Sequence, residues 1–160
     1  MNSIFLDTLN KKDTNRPPVW FMRQAGRILP SYQVLKKIYS FSDLMKSPEL
    51  AAKVTLLPIN DLGVDAAILF SDILIVPEAL GMGLEFTEKG PIFSKPLTQF
   101  EKPSKQLIVD RSKLTHVYDN IDEIIKIRHK NTPLIGFCGG PLTTFCFMFR
   151  GHARDVTFND

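Results

Sequence analysis

Short apolar runs separated by longer stretches of mixed polarity set the rhythm of this chain. Val19-Trp20-Phe21-Met22, just past an irregular leader that ends at Arg16-Pro17-Pro18, predicts a short buried strand. Asp65-Ala66-Ala67-Ile68-Leu69-Phe70 and Leu134-Ile135-Gly136-Phe137 predict two more, and their continuous apolar character fits parallel strands covered on both faces. Between the strands the pattern is helical. Pro30 opens a helix to about Tyr39. Ser47-Pro48-Glu49 starts the next, with a hydroxyl cap, proline at the first helical position and an acid in the first turn. That helix should reach about Leu62 and stop at Gly63, with a kink or a broken last turn at Pro58. Asn120 followed by Glu123 predicts a capping box and a helix through about Lys130. Leu142 to Phe149 predicts a further helix, Leu84 to Phe93 a hairpin turning at Glu88-Lys89-Gly90, and Thr98 to Asp110 an exposed connection.

Strand, helix, strand, helix, strand is the order of a parallel α/β sheet. Three strands neither close a barrel nor cover their own edges. Thr157-Phe158-Asn159-Asp160 has the composition of a helix cap, so residues 1–160 are expected to be a truncated part of one larger domain. The chain is 44% hydrophobic and 23% charged, which excludes disorder, collagen-like repeats and coiled coil. No apolar run is long enough for a membrane span, and the amino terminus lacks the pattern of a signal peptide. A net charge of +3 without basic clusters does not suit a nucleic-acid binder. Cys138 and Cys146 match neither a zinc knuckle nor a redox pair and read as reduced thiols of a cytosolic protein.

Candidate chemistry lies just after each predicted strand, where parallel α/β folds gather their ligand sites. Arg23 and Arg27, separated by Gln24-Ala25-Gly26, can aim two permanently charged forks at carboxylates, and Gly26 lets a ligand approach the backbone. The competing reading makes them a solvated face or partners of acids elsewhere. Asp72, ending the second strand run, is a carboxylate at an apolar mouth that needs a cation or several donors. It could equally cap a helix or pair with those arginines. The third place is the turn Gly139-Gly140-Pro141, and all three are expected to face one mouth. His116, His129 and His152 read as surface residues, and neither a HExxH string nor a phosphate loop occurs.

The block Pro18-Val19-Trp20-Phe21-Met22-Arg23-Gln24-Ala25-Gly26-Arg27-Ile28-Leu29-Pro30 resembles the amino-terminal signature of uroporphyrinogen decarboxylases. Phe70-Ser71-Asp72-Ile73-Leu74, Lys89-Gly90-Pro91 and the run from Pro133 to Thr143 are similar to further blocks of that family, in the same order. The resemblance implies the amino-terminal part of a (β/α)8 TIM barrel, homodimeric when intact, needing no metal and no organic cofactor. It implies a cytoplasmic carboxy-lyase of haem biosynthesis that converts uroporphyrinogen III to coproporphyrinogen III by removing four acetate carboxyl groups. Residue by residue, Arg23 and Arg27 match the arginines that meet substrate carboxylates, with Gln24, Ala25 and Gly26 in the same loop. Asp72 matches the aspartate that accepts pyrrole N–H groups, and Phe147 stands where the family has a substrate-contacting tyrosine.

The sequence also departs from that pattern. Leu142 replaces an aromatic residue, Arg150 an acid, and His152-Ala153-Arg154-Asp155 a glycine-rich stretch. Two alternatives stay open beside the decarboxylase: a truncated or degenerate paralogue that binds porphyrinogen or dimerises without turnover, and a barrel methyltransferase of the cobalamin or methionine-synthesis type. The intact parent is expected to turn over and these 160 residues alone are not.

Overall fold

The computed structural model describes residues 4–21, 28–87 and 90–152. In chain order the elements are α1 (Ile4–Leu9), α2 (Pro30–Ile38), α3 (Phe41–Lys46), α4 (Pro48–Leu62), β1 (Ala67–Ile68), α5 (Ile75–Ala79), β2 (Leu84–Thr87), β3 (Gly90–Phe93), α6 (Thr115–Ile127), β4 (Leu134–Ile135) and α7 (Pro141–Arg150). They form two compact units: Met1–Ser71 with His116–Phe137, and Asp72–Thr115 with Cys138–Asp160.

The first unit is built on a parallel pair. β1 and β4 align Ala67 with Leu134 and Ile68 with Ile135. The Ala67 N–H donates to the Pro133 carbonyl and the Leu69 N–H to the Ile135 carbonyl, both at 2.9 Å, so pairing extends slightly beyond the two-residue strands. α4 buries Ala51, Ala52, Val54, Thr55 and Leu57, and packs against β1. Its small residues allow a close approach, and Ala52, Leu69 and Ile124 form a core with Val117, Ile121 and Leu134 around it. The ends of α4 are as expected: Ser47 Oγ accepts from the Leu50 N–H, and Gly63 adopts a left-handed conformation at φ 65°. The helix nevertheless continues through Pro58 to Leu62, so the last turn does not break.

Three expectations for this unit are corrected. Val19, Trp20 and Phe21 are not a buried strand: they form no regular element and are 38%, 42% and 52% exposed. The Asp65 side chain takes the Val19 N–H that a strand partner would need, and Pro17 and Pro18 offer no donors before it. The leader is not wholly irregular, because α1 occupies Ile4–Leu9. Asn120 does not start a helix. α6 begins at Thr115, and Asn120 lies inside it, buried, donating from Nδ2 to the Met45 carbonyl at 2.7 Å. That carbonyl belongs to the last turn of α3, where helix geometry leaves acceptors unpaired.

The second unit holds the hairpin, with β2 and β3 antiparallel from Leu84↔Phe93 to Thr87↔Gly90. Glu88 and Lys89 of the expected turn lie outside the described residues. The connection from Thr98 to Asp110 contains a short 3-10 turn at Pro103–Gln106 and is pinned by two backbone bonds. The Ile108 N–H donates to Leu80 at 2.9 Å and the Asp110 N–H to Ala79 at 2.7 Å. α7 begins with Pro141 at its first position and ends at Gly151, whose φ is 86°. Leu74, Met82, Phe93, Leu97, Phe147 and Met148 make the core.

Candidate functional site

The segment that delivers Asp72 is anchored residue by residue in the first unit. Phe70 donates its N–H to Thr55 Oγ1 at 3.0 Å, and its ring lies against Tyr32 and Phe41, with centroids 6.0 and 5.4 Å away. Ser71 follows with a buried Oγ that has no hydrogen-bond partner among the described residues. Asp72 then opens the second unit.

Asp72 is half-buried, and its Oδ1 accepts from the Leu74 N–H at 2.7 Å. This is a local Asx turn leading into α5, which has no side-chain cap of its own. Among the described residues the carboxylate takes no other hydrogen bond and no ion pair. Burial pushes its pKa above the usual carboxylate range; the Leu74 N–H opposes the shift, and Glu78 repulsion adds to it. The group is therefore under-satisfied as an anion and would gain from N–H donors or positive charge.

The turn after β4 closes on the same segment. A Cβ at Gly139 would stand 2.8 Å from the Ile73 carbonyl oxygen and collide with Thr144 Oγ1. Of the three places expected at one mouth, the second and third are thus adjacent within one unit. Arg23, Gln24, Ala25, Gly26 and Arg27 lie outside the described residues. Phe147 is 8% exposed and sits in the second core with Leu74. His129 and His152 are exposed, whereas His116 is half-buried and its Nε2 has no partner among the described residues.

Sequence reasoning passed over one pair. Arg16 donates from Nη1 and Nη2 to the two carboxylate oxygens of Asp65 at 2.6 and 2.8 Å, and the Val19 N–H donates to the same carboxylate at 2.6 Å. The Arg16 fork holds the Asp65 carboxyl below the usual range. An acid opening an apolar strand run was the available signal, since such a group is rarely buried unpaired.

A parallel strand pair with helices packed on it defines an α/β arrangement in the first unit. A solved methyltransferase from Methanosarcina mazei shares this fold with a TM-score of 0.63 over 90% of this chain and 44% of its own, at 22% identity. Residues 1–158 match the profile of the uroporphyrinogen decarboxylase (URO-D) family. The uroporphyrinogen decarboxylase of Protochlamydia amoebophila is 49% identical over 94% of this chain and 41% of its own length. That of Vesicomyosocius okutanii is 45% identical over 100% of this chain and 49% of its own. The chain belongs to the uroporphyrinogen decarboxylase family, and its fold is part of that family's (β/α)8 barrel. It spans less than half the length of these curated relatives.

Proposed function

We propose that this chain is part of an enzyme that decarboxylates uroporphyrinogen III to coproporphyrinogen III. The observation that carries the reading is Asp72, a half-buried carboxylate with a raised pKa and one local donor, in a chain of this family. A macrocycle with inward-facing pyrrole N–H groups supplies the donors that the acid lacks. Arg23 and Arg27 meet the carboxylate arms, Gln24 to Gly26 line the same loop, and Phe147 supports the site through its ring, lacking the hydroxyl of a tyrosine.

In each round a proton adds to a pyrrole carbon beside the acetate arm and leaves a cationic ring. The bond from the arm's methylene carbon to its carboxylate breaks, its electron pair flows into the ring, and carbon dioxide departs. The exocyclic carbon then takes a proton while the ring carbon loses one, leaving a methyl group. A fixed Asp72 carboxylate stabilises the positive charge as it develops. The ring serves as its own electron sink, so the reading calls for neither metal nor organic cofactor. Residues 1–160 form one part of a single barrel domain, and the enzyme works in the cytoplasm as a homodimer. Among the described residues no helix is long and apolar enough to cross a membrane.

An anaerobic assay with uroporphyrinogen III, resolving products by carboxylate number, tests the reading. These 160 residues alone should leave the substrate intact. A chimera in which they replace the matched portion of the Protochlamydia amoebophila relative should produce the tetracarboxylate. A folded, dimeric but silent chimera would favour binding without turnover and overturn the proposal.

A further inference from the structure

The chain's net charge is gathered in one segment of the second unit. Residues 95–113 hold five of its 20 basic residues, Lys95, Lys102, Lys105, Arg111 and Lys113, and two of its 17 acidic ones, Glu101 and Asp110. The segment's balance of +3 therefore equals that of the whole chain, and the remaining residues sum to zero. All five cations are exposed, and among the described residues none stands within ion-pair distance of an acid. The Asp110 carboxylate serves the chain locally: it accepts the Ser112 N–H at 3.1 Å as the cap of a 3-10 turn at Arg111–Leu114.

This basic segment is fastened along its length. Leu97 is buried in the core of the second unit, and Leu107 packs against the same core. A 3-10 turn at Leu97–Gln99 lies against α7, and the turn at Arg111–Leu114 lies against α5. The Ile108 and Asp110 N–H groups bond Leu80 and Ala79, and Lys113 Nζ donates to the Glu78 carbonyl at 3.4 Å. α5 and α7 are the helices that leave the Asp72 turn and the Gly139-Gly140 turn. Glu78 lies four residues beyond Leu74, whose N–H holds Asp72. The segment therefore meets α5 about one helical turn, ~5–6 Å, from the Asp72 turn. At physiological ionic strength fields persist over ~8 Å, so a highly charged ligand arriving at Asp72 feels these cations.

We infer that residues 95–113 form an electrostatic collector for a polycarboxylate macrocycle: five fixed cations beside the Asp72 turn draw in an octacarboxylate and attract the tetracarboxylate product less. The inference rests on the decarboxylase reading above. A polyanion is steered by such a field without touching any of the five side chains, so the gain enters the association rate rather than the dissociation rate. Attraction scales with the charge of the ligand, and loss of four acetate carboxylates removes about half of it. The field that gathers the substrate thus loosens toward the product.

The experiment uses the full-length chimera described above and uroporphyrin, an oxidised octacarboxylate that keeps every arm. Stopped-flow porphyrin fluorescence gives association and dissociation rates at about 20 mM and about 0.5 M salt, where fields are long-ranged and quenched respectively. Combined Lys102→Gln, Lys105→Gln and Arg111→Gln should lower association about three- to tenfold at the low salt and leave dissociation within about twofold. At the high salt the variant and the unaltered chimera should coincide. Coproporphyrin, with four carboxylates, should show a smaller loss. An equal change of net charge on the first unit, Lys36→Gln with Lys37→Gln and Lys53→Gln, should cost association less than about twofold. Lys105→Glu alone, one exposed residue, should reproduce the salt-dependent loss and decides the matter if the triple variant fails to fold. Unchanged association at low salt overturns the inference alone. So does a deficit that persists at high salt, which would mark a contact or a structural role, and so does an equal loss in the first-unit variant. A chimera that binds no uroporphyrin overturns the inference together with the reading it rests on.

Discussion

Asp72 sets stability against chemistry at the level of one side chain. Its folded pKa is raised by burial, so the folded state holds this proton more tightly than the unfolded chain does. Its contribution to stability is present below the unfolded carboxylate pKa and is lost as pH rises through the folded value. Ionising the group is therefore destabilising to the folded state. Asp72→Asn keeps an oxygen for the Leu74 N–H and removes the charge. It should raise the thermal midpoint at pH 7 in circular dichroism while lowering turnover of the full-length chimera by about 10²–10³-fold, the usual cost of removing one preorganised electrostatic group. A lower midpoint would mean that the carboxylate is satisfied by a partner in the free protein. Residue type and position single out Asp72 in the sequence as a carboxylate ending an apolar run, and the structure half-buries it. Asp65 was not so marked, because nothing in a one-dimensional pattern shows that Arg16, 49 positions away, reaches it.

At the scale of elements, local signals fared best where they act over a few residues. The Ser47 cap, Pro48 and the left-handed Gly63 bounded α4 correctly, whereas the helix expected from Leu142 to Phe149 begins one residue earlier, taking Pro141 from the turn as its first position, and ends at Arg150 before a left-handed Gly151. α3 carried an equally local signal that went unread: Ser40 Oγ accepts from the Asp43 N–H at 3.1 Å, and the Asp43 carboxylate accepts the Ser40 N–H at 3.0 Å. Asn120 misled for the opposite reason. Its spacing to Glu123 mimics a cap, but a tertiary acceptor, the Met45 carbonyl, claims its amide. The turn after β4 invites a test at this scale. Gly139→Ala places a methyl group 2.8 Å from the Ile73 carbonyl, backbone that cannot rotate aside. It should cost about 1–3 kcal/mol in denaturant unfolding, the range for overpacking, and should lower chimera activity by displacing the Asp72 segment. Relief of the Thr144 collision by adding Thr144→Ala should restore only part of the loss, and full restoration would show that Ile73 yields freely.

For the molecule as a whole, acid sensitivity follows from several carboxylates at once. Asp43, Glu49, Asp65 and Asp110 all have lowered folded pKa values, through Ser40, the Glu49 backbone N–H with Ser47, Arg16 and Ser112 respectively. Each contributes stability that is present above the unfolded pKa and lost as pH falls through the folded value. Asp65 should dominate, because its side chain is enclosed while solvent screens the others. The thermal midpoint should fall as pH drops from about 5 to about 3, and Asp65→Asn should start lower and show a flatter pH dependence. An unchanged slope in that variant would assign the acid sensitivity elsewhere.

Taken by itself, the sequence determined the parallel α/β class, the limits of α4, the approximate extent of α7, the two strands of the hairpin and the family signature. All of these depend on residue type and spacing within a few turns of chain. The tertiary structure alone decided that Val19 to Phe21 would be exposed and outside any strand, that Asn120 would bind a distant carbonyl, and that Phe147 would pack in a core. It also joined Arg16 to Asp65 and set Gly139 against Ile73. The physical reason is common to these cases. A hydrogen bond or a close contact between remote positions exists only once the backbone has brought them together, and no local preference encodes which partner will arrive.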